Sequence, residues 1–182
     1  HPVLLPPVSK IGVRFFELLF FEKLLYHTGQ TMFRMWVGLS LATLIGVPLG
    51  IMMARFAFVR SSLEPLLSLG FPIPKIGIYP VLIIFFGVLH FSKIALIFIE
   101  ALFPIVMATF NGALLVERKL IWSAESMGTK KRKILGEIIL PFTLPHIFMG
   151  FRVGLIVSLI VVFLSEMIAS AEGLGHLMMS SS

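Results

Sequence analysis

One acidic side chain, Glu100, lies well inside an apolar run of this 182-residue sequence, and a carboxylate there is costly enough to need a partner or a task. Two readings are open: it lines a polar route through the apolar phase, or it makes a structural hydrogen bond to another helix. Phe103, Asn111, Ser158 and Ser165 are the further polar or aromatic residues on apolar stretches that such a route could use. Beside Glu100, Phe103-Pro104 is expected to bend its helix, because proline removes a backbone donor. Other chemistry is scarce. The absence of cysteine excludes disulfides, thiolate metal sites and cysteine catalysis. His1, His27, His90, His146 and His176 show neither i, i+4 pairing nor a carboxylate cluster at ligand spacing, so no metal site is expected. With no Asp and no recognisable nucleophile arrangement the chain is not expected to be an enzyme. No glycine-rich phosphate loop ending in Gly-Lys-Ser/Thr is present, so no cofactor or nucleotide is expected on this chain.

The elements that would hold these residues are apolar helices. Hydrophobic residues make up 58% of the chain and charged ones 13%, against about 25% charged in an ordinary soluble domain, and the mean hydropathy is +1.02. This is the composition of a polytopic membrane protein. The net charge of +6 is gathered between apolar spans rather than along a soluble face, which argues against nucleic-acid binding and for positively charged cytoplasmic loops. Residues 1–30, with Pro2, Pro6 and Pro7 and then mixed charged and aromatic residues, predict a peripheral helix starting at Ser9, a plausible N-cap.

Met35 to Ala54 is twenty uncharged residues between Arg34 and Arg55, enough to cross a bilayer at about 1.5 Å per residue. Gly38, Ala42, Gly46 and Gly50 place a small-residue stripe on one of its faces, where another helix can approach closely. Arg55 to Lys75 reads as a polar connection ending in Pro72-x-Pro74, followed by a short span at Ile76 to Phe91, a turn at Leu89 to Lys93, and a second span at Ile94 to Val116. Two crossings return the chain to the face it left, so 55–75 and 117–133 share the positive, cytoplasmic side. A last span covers roughly Pro145 to Ala169, with Glu166 near its far end.

Between the last two spans lies the most basic stretch of the chain. Arg118, Lys119, Lys130, Lys131, Arg132 and Lys133 are six of its fifteen Lys and Arg residues. A short helix ending at Met127-Gly128-Thr129 can protrude here, because Gly permits a backbone conformation or an approach that a Cβ hinders. Such a knob suits a groove in a cytoplasmic partner. The basic residues serve either to pair with acidic groups there or to hold the loop on the cytoplasmic side near anionic lipid.

Across this stretch Ala124, three residues, Gly128, nine residues, Ile138, one residue, then Leu140-Pro141 resembles the cytoplasmic signature loop of permease subunits of binding-protein-dependent ABC importers. The family's leading Glu-Ala-Ala is Trp122-Ser123-Ala124 here, so the acidic residue and first Ala are absent. The runs TMFRMWVG (31–38), GVPLG (46–50), PIPKIGIYPVLIIFFGV (72–88), SKIALIFIEALFPIVMATFNG (92–112), LPFTLPHIFMGFRVGL (140–155) and SEMIASAEGLGHLM (165–178) look like the nitrate, sulfonate and taurine sub-group. Phe71 departs from it, since a basic residue usually precedes Pro-x-Pro.

The resemblance implies an all-α membrane bundle forming a single transmembrane domain over 1–182. Four or five helices of a six-span subunit are visible, the first and last spans being expected outside this sequence. It implies an inner-membrane, multi-pass protein whose loop at 116–141 couples to an ATPase through Ser123, Ala124, Gly128, Thr129, Lys130, Lys131, Arg132, Leu140 and Pro141, with residues 1–30 on the periplasmic side. Implied partners are two ATPase subunits carrying ATP and Mg, a second permease chain of the same or another kind, and an extracytoplasmic solute-binding protein. The implied cargo is a small polar or anionic solute. The alternative is a membrane scaffold subunit that transports nothing and recruits a cytoplasmic partner through its basic loop.

Overall fold

The structure, a computed structural model, describes residues 24–180; the helix start expected at Ser9 lies outside them. The described residues contain helices and no strand. Helix α1 runs from Leu24 to Arg55, so 24–30, grouped by sequence with the peripheral helix, form its first turns. Nothing between Leu24 and Met35 breaks the helix: Thr28 returns its hydroxyl to the carbonyl one turn back, and Arg34 is buried against a partner instead of ending the span. There follow α2 (Ala57–Gly70), a 3-10 turn (Lys75–Ile78), α3 (Tyr79–Phe86), α4 (His90–Leu114) and α5 (Arg118–Ser126). Helix α6 (Lys131–Ile134) continues through a π-helical turn at Leu135–Ile139 into α7 (Leu140–Ile168). The short α8 (Leu174–Ser180) comes last.

Three of these are long and apolar enough to span a membrane: α1, α4 and the continuous stretch Lys131–Ile168. The glycine stripe of α1 packs against α4. Ideal Cβ atoms on Gly38, Gly46 and Gly50 would lie 2.7, 3.0 and 2.7 Å from side-chain atoms of Ile97, Ile105 and Thr109. The constant sequence offset makes α1 and α4 parallel neighbours. From the other side α7 runs antiparallel, with Gly154 against Ile105 and Leu39, Gly150 against Pro104 and Ala108, and Gly112 of α4 against His146. Small residues on all three helices thus let backbones approach where lipid offers no hydrophobic drive for association.

Two parallel spans in succession require the chain between them to cross back, and α2 with α3 makes that crossing. Arg60 stacks over the Phe110 ring at 5.3 Å, Gly70 meets Phe103, Lys75 reaches Glu100, and Tyr79 packs with Leu96 and Ile97. The segment therefore climbs α4 in reverse. The span expected at Ile76 to Phe91 is corrected accordingly. Its regular helix is only the eight residues of α3, about 12 Å, and the crossing is shared with α2 through a 93° bend. Pro72 and Pro74 cause the bend, since each lacks a donor and restricts the residue before it. The turn expected at Leu89 to Lys93 falls earlier, at Gly87, whose φ of 78° is a glycine conformation; His90 to Lys93 already form the first turn of α4.

Around these helices the outer face is as apolar as the interior. Leu44, Ile84, Phe85 and Phe148 are exposed, an arrangement suited to lipid because a helix satisfies most of its backbone groups within itself. Pro104 lies within α4, which continues past it to Leu114.

Candidate functional site

At one end of the bundle, α5 terminates in a glycine cap. Gly128 has φ of 75°. Its N–H donates to Glu125 O at 2.9 Å, and Thr129 N–H donates to Ala124 O at 3.0 Å. These two bonds form a Schellman motif, which satisfies carbonyls otherwise orphaned at a helix end. Nothing lies within 4 Å of a Cβ built on Gly128, so the glycine is required by backbone conformation and not by crowding. Ala124, one turn earlier, is buried with Ile51, Val116, Ile134 and Ile139. The Ala-x-x-x-Gly spacing therefore has a local cause: Ala124 presses α5 onto the bundle and Gly128 reverses the chain toward α6.

What this loop presents outward is apolar as well as basic. Leu120, Trp122 and Met127 are exposed, Met127 by 74%. A groove of about 480 Å³ runs between α5 and the start of α7, lined by residues including Ser123, Met127, Ile138, Pro141 and Phe142. Lys130, Lys131 and Arg132 are exposed along α6, and Lys133 pairs loosely with Glu137 at 3.8 Å. Leu140 and Pro141 begin α7 directly after the π turn. The sequence reading singled out Ala124 and Gly128 but not Met127 or Leu120; large apolar residues in a hydrophilic loop were the available signal.

Deeper in the bundle, Glu100 and Phe103 come together around a residue the sequence reading left in a connection. Lys75 has 6% of its side chain exposed and Glu100 14%, and their charged ends are 3.5 Å apart. Lys75 Nζ also lies 3.4 Å from the carbonyls of Phe71 and Ile73 and 4.3 Å from the centre of the Phe103 ring. Lys75, Glu100, Phe71 and Phe103 line a cavity of about 130 Å³ together with Pro104, Val153 and Val157. The partner of the Glu100 carboxylate is Lys75. Of the other candidates, Asn111 is exposed on α4 and Ser158 is buried. Ser165 is buried and donates to Val162 O within its own helix at 2.8 Å.

A second buried pair closes the end opposite the basic loop. Arg34 Nη1 donates to Glu166 Oε1 at 2.7 Å, with both side chains almost fully buried. Glu166 Oε2 accepts from Thr31 Oγ1 at 2.9 Å and from Gly175 N–H at 3.2 Å. Leu174 N–H donates to Thr31 Oγ1, Gly173 N–H to His27 Nδ1, and Arg34 Nε to His90 Nδ1. The cluster ties the start of α1, the start of α4, the end of α7 and the turn before α8 into one knot. Sequence reasoning missed it because Arg34 read as the edge of a span.

Apolar helices exposing apolar faces, with two ion pairs buried among the described residues and a basic capped loop at one end, define a multi-pass helical membrane protein. Residues 46–182 match the model for binding-protein-dependent transport system inner membrane components, and the chain belongs to that family. It is similar to the taurine transport system permease protein of Escherichia coli K12, at 32% identity over 99% of this chain and 67% of the relative. A putative ABC transporter permease protein of Methanocaldococcus jannaschii is 35% identical over 98% of this chain and 69% of its own length. A putative aliphatic sulfonates transport permease protein of Bacillus subtilis is 30% identical over 97% and 64%. The chain is thus an inner-membrane permease component of ABC-type transport.

Proposed function

We propose that this chain forms the translocation pathway of an ABC importer for a small polar or anionic solute, of the kind named for its sulfonate- and taurine-transporting relatives. ATP is bound and hydrolysed by separate partner subunits that dock on the loop at 116–141, which faces the cytoplasm. A second permease chain completes the pathway, and an extracytoplasmic protein delivers the solute to the end closed by Glu166. The pathway side of this chain includes Glu100 and Phe103, with Asn111, Ser158 and Ser165 as further candidates on the same spans.

The observation that carries the reading is the construction of the loop. A short helix held to the bundle by Ala124 and stopped by a positive-φ Gly128 is a rigid knob with an apolar tip. Rigid contact of this kind transmits a partner's movement to the helices it is packed on, which is how a ligand-biased two-state equilibrium is relayed. Exposed Lys130, Lys131 and Arg132 supply charge complementary to an acidic rim.

Gly128→Trp in the assembled transporter is expected to leave the chain inserted in the membrane while uptake falls at least about tenfold and ATP hydrolysis persists. Gly128→Ala, which adds only the cost of left-handed backbone, about 1–2 kcal/mol, is expected to retain most uptake. Normal uptake by the Trp variant would remove the docking role. If the native chain, solubilised from its own membranes, brings down no ATPase subunit, a transport-silent scaffold becomes the better description.

A further inference from the structure

The two ion pairs buried among the described residues differ in how tightly they are held. Arg34 and Glu166 meet at 2.7 Å with further hydrogen bonds from Thr31 and Gly175. Lys75 touches its three oxygen partners only at 3.4, 3.4 and 3.5 Å, beyond the usual hydrogen-bond range, and a cavity of about 130 Å³ opens beside it. The first pair is fastened; the second is available for exchange.

Its surroundings specify what can exchange. One positive charge lies among four electron-rich groups: the Glu100 carboxylate, the carbonyls of Phe71 and Ile73, and the face of Phe103. Phe71, Pro104, Val153 and Val157 complete the lining without charge. A bare anion arriving here would gain Lys75 alone, while stranding Glu100 in a desolvated setting beside it, and a buried charge left without its partner is strongly unfavourable. A solute carrying both an acidic group and an ammonium avoids that penalty. Its acidic group takes Lys75, and its ammonium inherits the cage that held Lys75, including a cation–π face. Every buried charge remains paired as the solute enters.

We propose that Lys75 and Glu100 form a charge-paired subsite that receives a zwitterionic solute, its acidic group on Lys75 and its ammonium on Glu100, in preference to a simple anion. This rests on the reading that the Glu100 and Phe103 region lines the pathway, and it makes Lys75 a specificity-determining residue.

The cysteine-free sequence allows a direct test in the assembled transporter with cysteine-free partner subunits. Val157→Cys, or Val153→Cys should the first fail to assemble, places a single thiol in the cavity wall. Its labelling by a small charged methanethiosulfonate is followed with taurine, ethanesulfonate or nitrate present. Taurine is expected to protect the thiol at about tenfold lower concentration than ethanesulfonate or nitrate. Glu100→Gln is expected to erase that difference, and Lys75→Gln to abolish protection by all three. Equal protection by taurine and ethanesulfonate with Lys75 and Glu100 intact, or no protection by any of them, would overturn the proposal while leaving the pathway reading in place. A thiol that is not labelled at all in a transporter competent for uptake would overturn the pathway reading and the proposal with it.

Discussion

Replacing Glu166 by alanine is expected to be among the most damaging single changes in this chain, lowering stability by about 3 kcal/mol. The substitution removes the nearer of two carboxylates from the Arg34 guanidinium, 2% exposed, and leaves it the more distant Glu172 carboxylate at 3.7 Å and the Glu172 carbonyl at 3.0 Å. It also removes the acceptor of the Gly175 amide and the nearer of two acceptors in reach of Thr31 Oγ1, the other being His27 O. Two sources of loss combine: a buried guanidinium left with only the partly exposed Glu172 carboxylate, and the Gly175 amide released in a setting where water cannot substitute. Glu166→Gln keeps an acceptor for Thr31 and Gly175 and is expected to fall between alanine and the native residue. The double change Arg34→Met with Glu166→Leu removes both charges and is expected to recover much of the loss, since apolar replacement of a whole buried pair is often neutral. Thermal unfolding of the purified transporter in detergent measures all three. An alanine variant as stable as the native chain would show that the pair is not the closure of this end of the bundle.

The second large effect is expected at Gly50. A Cβ there would lie 2.7 Å from Thr109 Cβ, 2.8 Å from Val106 O and 3.0 Å from Phe110 N, and two of these are backbone atoms of α4 that cannot turn aside. Gly50→Leu must push α1 and α4 apart, at a cost of about 1–3 kcal/mol or more. Because the two helices are parallel neighbours along most of their length, the separation also loosens the contacts at Gly46 and Gly38. Gly29, in the same helix with nothing within 4 Å of its Cβ position, is the matched control. Gly29→Ala is expected to be neutral or slightly stabilising, by up to about 1 kcal/mol. The amount of each variant recovered folded from membranes, and its thermal midpoint, distinguish the two. Equal tolerance at both positions would mean that close α1–α4 packing contributes little.

These results bear on what the sequence made legible. The α1 face was readable because its determinant is local: glycine and alanine every four residues put a flat stripe on one side of any helix. The loop was readable for the same reason, since a Schellman cap is written in the residues it closes over. Charge pairing was not. Arg34 and Glu166 are separated by 132 positions, and Lys75 and Glu100 by 25 with a turn and a helix start between them. Arg34 and Lys75 stood at the borders of apolar runs, where a charge ordinarily marks the water. The crossing by α2 and α3 was obscured by Pro72 and Pro74, which resemble the entry to a span but lie at a bend within one. Composition established that the chain lives in lipid, whereas the buried charge pairs depend on which helices become neighbours.

The π turn at Leu135–Ile139 gives the chain a property best expressed as phase. A wider turn accommodates one residue more than an α-helix would, and each residue of an α-helix corresponds to about 100° of rotation. The loop helix and the span that follows it are therefore indexed to one another by a single residue. Deleting Gly136 to restore regular α-helix would swing α7 by about that angle relative to α6. Gly150 and Gly154 would leave Ile105 and Glu166 would leave Arg34, or, if α7 stayed in place, the basic residues of α6 would point elsewhere. Length in this short segment is a rotational setting, so an insertion or deletion there is felt at both ends of the bundle even when no contacting side chain is changed.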